Sequence, residues 1–221
     1  YRHPAYTWTK LHGFAVMSHE KPVDTDEITT EDALNMAGNS PTTEDDHPFS
    51  SLWSFHLKKA DSRWCVMGRF ATIPLHESTV DVADLGLDPA ERYHAFDFWK
   101  EEYMGVIEGC IPARALELGA CQIVGLRKIE IHPQFLASSR HVSMGAVDLV
   151  SETWESGRLQ LAFEGIPTGV FTYWVHVPAG HEQVIIDVVG ARVTQEHRDG
   201  SVLRFELEHT EVRVACDLSF S

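Results

Sequence analysis

Three acids stand beside aromatic residues in this sequence: Asp97, Glu101 and Glu102, within Phe96-Asp-Phe-Trp-Lys-Glu-Glu-Tyr103. Two carboxylates flanking a bond can act as acid and base, and glycoside hydrolysis with retention needs them about 5 Å apart. Asp97, however, falls inside a strand-like run, and a carboxylate among rings needs a hydrogen-bonding partner. It reads as structural, capping a turn or pairing with Arg92. Ser139, His141 and Asp148 contain the residue types of a nucleophilic triad but no nucleophile elbow. The thirteen histidines form neither His-x-His nor His-Glu-x-x-His. His176 and His181 straddle a turn without a visible third ligand, so no metal and no cofactor is predicted. Sugar rings stack on exposed aromatic faces, and Trp154, just before a hairpin turn, and Trp99, at a strand end, are the carbohydrate-binding candidates. Trp64 and Trp174 sit mid-strand and read as core.

The element that must position most of these residues is Leu85 to Trp99. It opens on Gly86-Leu-Asp-Pro89, a turn in which proline presets φ and aspartate bonds the backbone beyond it. From Arg92 the period is two: Tyr93, Ala95, Asp97 and Trp99 share one face, and His94, Phe96 and Phe98 share the other. Aromatic residues on both faces predict a strand covered on both sides.

Gly86-Leu-Asp-Pro89 followed by Tyr93 and Asp97-Phe-Trp99 resembles the β-sandwich that follows the catalytic barrel in α-galactosidase-type, melibiase-like glycoside hydrolases. Ser139-Arg-His-Val-Ser-Met-Gly-Ala-Val-Asp-Leu149 resembles a second run in bacterial relatives of those enzymes. The two motifs occur in the same order, and the likeness spans roughly Phe49 to Leu149. The segment Pro4 to Pro48 matches nothing, and the tail after Leu149 matches only in its β character. The resemblance implies a non-catalytic accessory module that packs against a catalytic barrel, its main expected partner. The family's catalytic aspartates lie at barrel strand ends, so no catalytic residue carries over. Tyr93, Asp97, Trp99, Arg140 and His141 become domain-interface or structural residues, with Trp99 toward the barrel.

Composition sets bounds around this. With 221 residues, 43% hydrophobic and 23% charged, the chain has an ordinary globular composition. It is too short for a barrel of roughly 200 to 250 residues plus anything else, and alternating βα units are missing. Eighteen basic against 33 acidic residues leave a net charge of −15. That argues against nucleic acid and anionic membranes as partners, and no apolar run reaches the roughly 18 residues of a span. The chain starts at Tyr1 without methionine, which suggests a processed or excised protein. The four cysteines fit no zinc spacing and read as reduced thiols, favouring a cytoplasmic location; Cys110 and Cys121 are the one pairing a hairpin would allow.

The expected fold class is all-β, an antiparallel sandwich in two packed β regions behind an irregular acidic segment. The organisation is 1–48 as a linker or insertion, 49–132 as one sandwich and 133–221 as a second β region. The first segment holds a short helix candidate from Thr29 to Gly38 and an acidic cluster, Asp24 to Asp32, that lacks calcium-loop spacing. In the third, Gln134 to Met144 is expected to be a connector after His132-Pro133, and Asp199-Gly200 a type I′ hairpin turn. The competing functional reading is a free-standing carbohydrate-binding or adhesion sandwich. A docking module should expose a contiguous apolar patch, and a binding module a few aromatics in a polar groove.

Overall fold

The computed structural model describes residues 6–10, 51–59, 62–145, 147–181 and 183–221. The helix candidate and the acidic cluster lie outside these. The described chain is all-β, and every strand pair is antiparallel.

The first half forms β1 (Tyr6–Lys10), β2 (Leu52–Lys59), β3 (Ser62–Phe70), β4 (Ser78–Asp81), β5 (Arg92–Asp97), β6 (Glu102–Glu108), β7 (Cys110–Ala113) and β8 (Cys121–Lys128). Six of them make one sheet in the order β1-β2-β3-β8-β5-β6, while β4 and β7 pair separately. The second half forms β9 (Gln134–Ser138), β10 (Leu149–Glu155), β11 (Arg158–Glu164), β12 (Val170–His176), β13 (Val184–Val189), β14 (Ala191–Asp199), β15 (Val202–His209) and β16 (Arg213–Phe220). These make two four-stranded sheets, β10-β11-β16-β13 and β14-β15-β12-β9.

Side-chain alternation turns the sheets into layers. On β5, Tyr93 and Ala95 join a core with Met67, Val80, Ile111 and Val124, under the small β4-β7 sheet. Phe96, pointing the other way, joins a second core with Leu57, Trp64, Val66 and Ile123 from its own sheet and Leu136, Ala137, Met144 and Trp174 from the second half. The same switch occurs on β12: Trp174 faces this joint, while Tyr173 and Val175 face the sandwich core with Phe135, Phe163, Phe205 and Leu218. Both central sheets are therefore covered on both faces, and the two halves share one apolar joint. Trp64 and Trp174 are buried in it as expected.

The joint also contains charge. Arg127 on β8 donates to the Phe135 carbonyl and pairs with Glu152 on β10 at 2.6 Å. Glu152 accepts the Phe135 N–H at 2.8 Å. Arg127 also lies over the Trp64 and Phe135 rings. Both charged side chains are buried, which is tolerable because each has a partner.

Three local expectations need correction. Gln134–Ser138 is a strand, β9, and all five residues are buried; it is short and follows His132-Pro133, which reads as a break. Pro112, which reads in the sequence as a break between the strand-like runs Tyr103–Glu108 and Ala113–Leu118, lies inside β7, which pairs with β4 alone, an edge position that accepts a residue without an N–H. The hairpin turn sits one residue later than expected. Asp199 pairs with Val202, so the loop is Gly200-Ser201, and only Gly200 has positive φ, +54°. That is the type II′ pattern; the type I′ pattern occurs instead at Ser156-Gly157, φ +50° and +78°, between β10 and β11. Gly200→Val should still lower stability by about 1–3 kcal/mol, because a β-branched residue is strained there. Thermal melting checks this, and an unchanged midpoint would mean the turn has another geometry.

Candidate functional site

The tip of the β5–β6 hairpin gathers the acids and the exposed tryptophan. Asp97 is 2% exposed, and its Oδ1 accepts the Lys100 N–H at 3.2 Å. This closes the Phe98–Glu101 turn, with Glu101 N–H on the Phe98 carbonyl and Glu101 itself at φ +51°. Of the two roles expected for Asp97, the turn cap is the one found; Arg92 instead lies 3.8 Å from Glu108. Beside the turn lies a cavity of about 260 Å³ lined by Asp97, Lys100, Glu102, Arg114, Gln122 and Glu77, with Met104, Pro112 and Ala113 as its apolar wall.

A second set of polar residues backs this cavity. Arg69, buried in β3, donates to the Arg114 carbonyl at 2.7 Å and to Gln122 Oε1 at 3.3 Å. Gln122 Oε1 also accepts the Arg114 N–H, and the Arg114 side chain donates to the Cys121 carbonyl at 3.1 Å. Burial and the neighbouring Arg114 charge both lower the Arg69 pKa. Lys100 lies 3.7 Å from Glu102. The cavity lining thus combines acids (Glu77, Asp97, Glu102), bases (Lys100, Arg114) and an amide (Gln122), an environment for a neutral, hydroxyl-bearing molecule more than for a single charge.

Trp99 is 55% exposed, and its indole N–H points to Cys121 Sγ at 3.1 Å. Phe98 meets it edge-on at 5.0 Å, and Phe70, also exposed, is the cross-strand neighbour of Cys121. The aromatic corner and the polar cavity therefore lie at one hairpin tip but on opposite faces of the sheet: Trp99 meets Cys121, while the cavity is lined by Gln122, the next residue on β8.

The other candidates are elsewhere. Trp154 is half-buried, stacked on His132, edge-on to His181 and tilted against Phe220, which leaves it packed at the end of the second sandwich. Tyr93 is buried and donates its hydroxyl to the Asp88 carbonyl at 3.0 Å, tying the Asp88-Pro89 turn to the strand. Arg140 donates to the Glu164 carbonyl and lies over the Phe171 ring. His141 is exposed and bonds Ser143. Asp148 is fully buried, and its charge, after desolvation, helps raise the Tyr173 pKa. The motif's Met144, with φ +51°, reaches into the first sheet where Gly125 has no side chain, and Ser143 accepts the Trp64 indole N–H at 2.9 Å.

These contacts give Arg140 a structural task, holding irregular backbone against the sandwich. Arg140→Ala should lower stability by roughly 1–3 kcal/mol, read by thermal melting, without altering glycan binding on an array. Unchanged stability with lost glycan binding would reverse that assignment.

Sequence reasoning missed Arg69, Arg114 and Gln122 as a network, and Arg127 with Glu152. The available signal was a polar or charged residue inside an apolar strand run, as in Gln122-Ile-Val-Gly-Leu-Arg127, since a buried charge demands a partner. Cys110 and Cys121 are both free thiols, as are Cys65 and Cys216, whose burial pushes each thiol up to about 12. Among the described residues no helix is long and apolar enough to cross a membrane, and no group of three or more ligating side chains is placed to hold a metal. No protein-family model matches the sequence, and no curated protein matches it.

Proposed function

We propose that this chain is a non-catalytic accessory β-sandwich module of a glycoside hydrolase with an α-galactosidase-like parent, and that it packs against and stabilises the catalytic barrel. The observation that carries this reading is where the two resembling stretches lie. Phe96 of the first and Met144 of the second meet in the apolar joint between the two halves. Their acids, Asp97 and Asp148, are both buried, and Asp97 caps a turn. Residues engaged in this way serve architecture. The Trp99 and Phe70 corner is the surface assigned to the barrel. The coding sequence upstream of Tyr1 tests this: a run of alternating strand and helix patterns long enough for a barrel is expected. An unrelated domain or a start codon immediately upstream would contradict it.

The polar cavity at the β5–β6 tip favours a second reading, a free-standing carbohydrate-binding sandwich. Calorimetric titration with a panel of monosaccharides separates the two. Saturable binding abolished by Asp97→Asn in a protein that still folds would favour the second, and no binding would favour the first.

A further inference from the structure

Two histidines meet inside the joint between the β regions. His94, on β5, is 2% exposed, and its ring centroid lies 4.2 Å from that of His176 on β12. The Tyr103 hydroxyl, from β6, bonds His94 Nδ1 at 2.8 Å. His94 Nε2 and His176 Nδ1 are buried and find no hydrogen-bond partner among the described residues. The charged neighbour is Arg127 from β8, and it is already paired with Glu152 from β10. Gln134, the neighbour of His176 on β9, is neutral. No carboxylate in this set is left to balance an imidazolium.

We propose that the His94–His176 stack makes the joint proton-sensitive: protonation of either ring favours separation of the two β regions while each keeps its own core. His176 is half-buried, but a charge on either ring would place a buried ring nitrogen against a second ring and a guanidinium, and opening the joint to water is what relieves it. The cores under β4-β7 and between the two four-stranded sheets contain neither histidine.

The direction follows from linkage. Burial, with smaller contributions from His176 and Arg127, lowers the His94 pKa to about 3, and burial lowers that of His176. An exposed histidine titrates near 6.5, so the open form binds more protons as pH falls below that value. The closed joint is fully favoured above pH 6.5 and is weakened downward, by about tenfold in the open population per pH unit for each histidine that titrates.

Met144 reports the joint, because it is 1% exposed and packed against Gly125, while Met67, fully buried in the core under β4-β7, reports that region. Brief hydrogen peroxide oxidation of the full chain, read by mass spectrometry from pH 7 to pH 4 and normalised to free methionine, follows both. The oxidation rate of Met144 should rise about tenfold or more per pH unit below 6.5, while that of Met67 stays flat. Hydrogen exchange should keep β11 and β16 protected over the same range. In His94→Gln with His176→Phe, which keeps a bond to Tyr103 and a ring in the stack, the slope should disappear. A flat Met144 rate in the native sequence, Met67 rising in parallel, loss of β11 and β16 protection, or an unchanged slope in the double variant would each overturn the proposal. The comparison of Met144 with Met67 in the native sequence decides even if the double variant does not fold.

Discussion

Arg127→Met should lower stability by about 3–5 kcal/mol, among the largest effects expected of any single substitution here. The loss arises from what remains. Glu152 would stay buried, 8% exposed at its side chain, and would lose the guanidinium 2.6 Å from its carboxylate. The Phe135 carbonyl would lose its guanidinium donor, and the Trp64 and Phe135 rings the cation over them. Adding Glu152→Gln should recover a large part, because a neutral amide oxygen can still accept the Phe135 N–H. Chemical denaturation of the two single variants and the double variant measures the coupling. If Arg127→Met alone changes stability by less than about 1 kcal/mol, the range for exposed ion pairs, the pair is not buried and the joint is more open than described.

Gly190→Ala is expected to cost roughly 3 kcal/mol, through two effects that act together. Gly190 has φ +80°, where an L side chain is strained by about 1–2 kcal/mol. A Cβ there would also lie 2.3 Å from the Arg213 carbonyl oxygen, a backbone atom that cannot swing away. Clashes of this kind typically add 1–3 kcal/mol. The Gly190 carbonyl receives the N–H groups of Thr210 and Glu211, so any shift also strains the crossing between β15 and β16. Gly180→Ala is the matched comparison, since Gly180 has φ +93° with open space around its Cβ position. It should show the strain alone. Equal melting temperatures for the two variants would remove the steric part of the argument.

The two-faced character of Arg92–Asp97 was legible because its residues alternate and both alternating sets are aromatic. The structure puts those sets into two different cores. Gln134–Ser138 was not legible, since it is only five residues long, follows His132-Pro133, which reads as a break, and carries a single aromatic residue where Arg92–Asp97 carries two with a histidine. The loop at Gly200 was located to within one residue; a glycine with positive φ fits either central position, and only the Asp199–Val202 pairing selects one. At the candidate site, Asp97 as a turn cap could be read locally, whereas Trp99, expected at the strand end on the Asp97 face, lies in the turn beyond β5 and meets Cys121 on the other face. The backing by Arg69, Arg114 and Gln122 could not, because it joins β3 to β8 and the loop between β7 and β8 over separations of 8 to 53 residues. The Arg127–Glu152 pair spans 25 residues and was hidden for the same reason.

The most direct test of the accessory-module reading is hydrolysis of nitrophenyl galactosides, glucosides and mannosides by this chain alone, over a range of pH and protein concentration. Release of nitrophenol should not exceed that of the buffer. Turnover that scales with protein concentration and vanishes on substituting Asp97 or Glu102 would contradict the account and make the cavity lined by these two residues an active site.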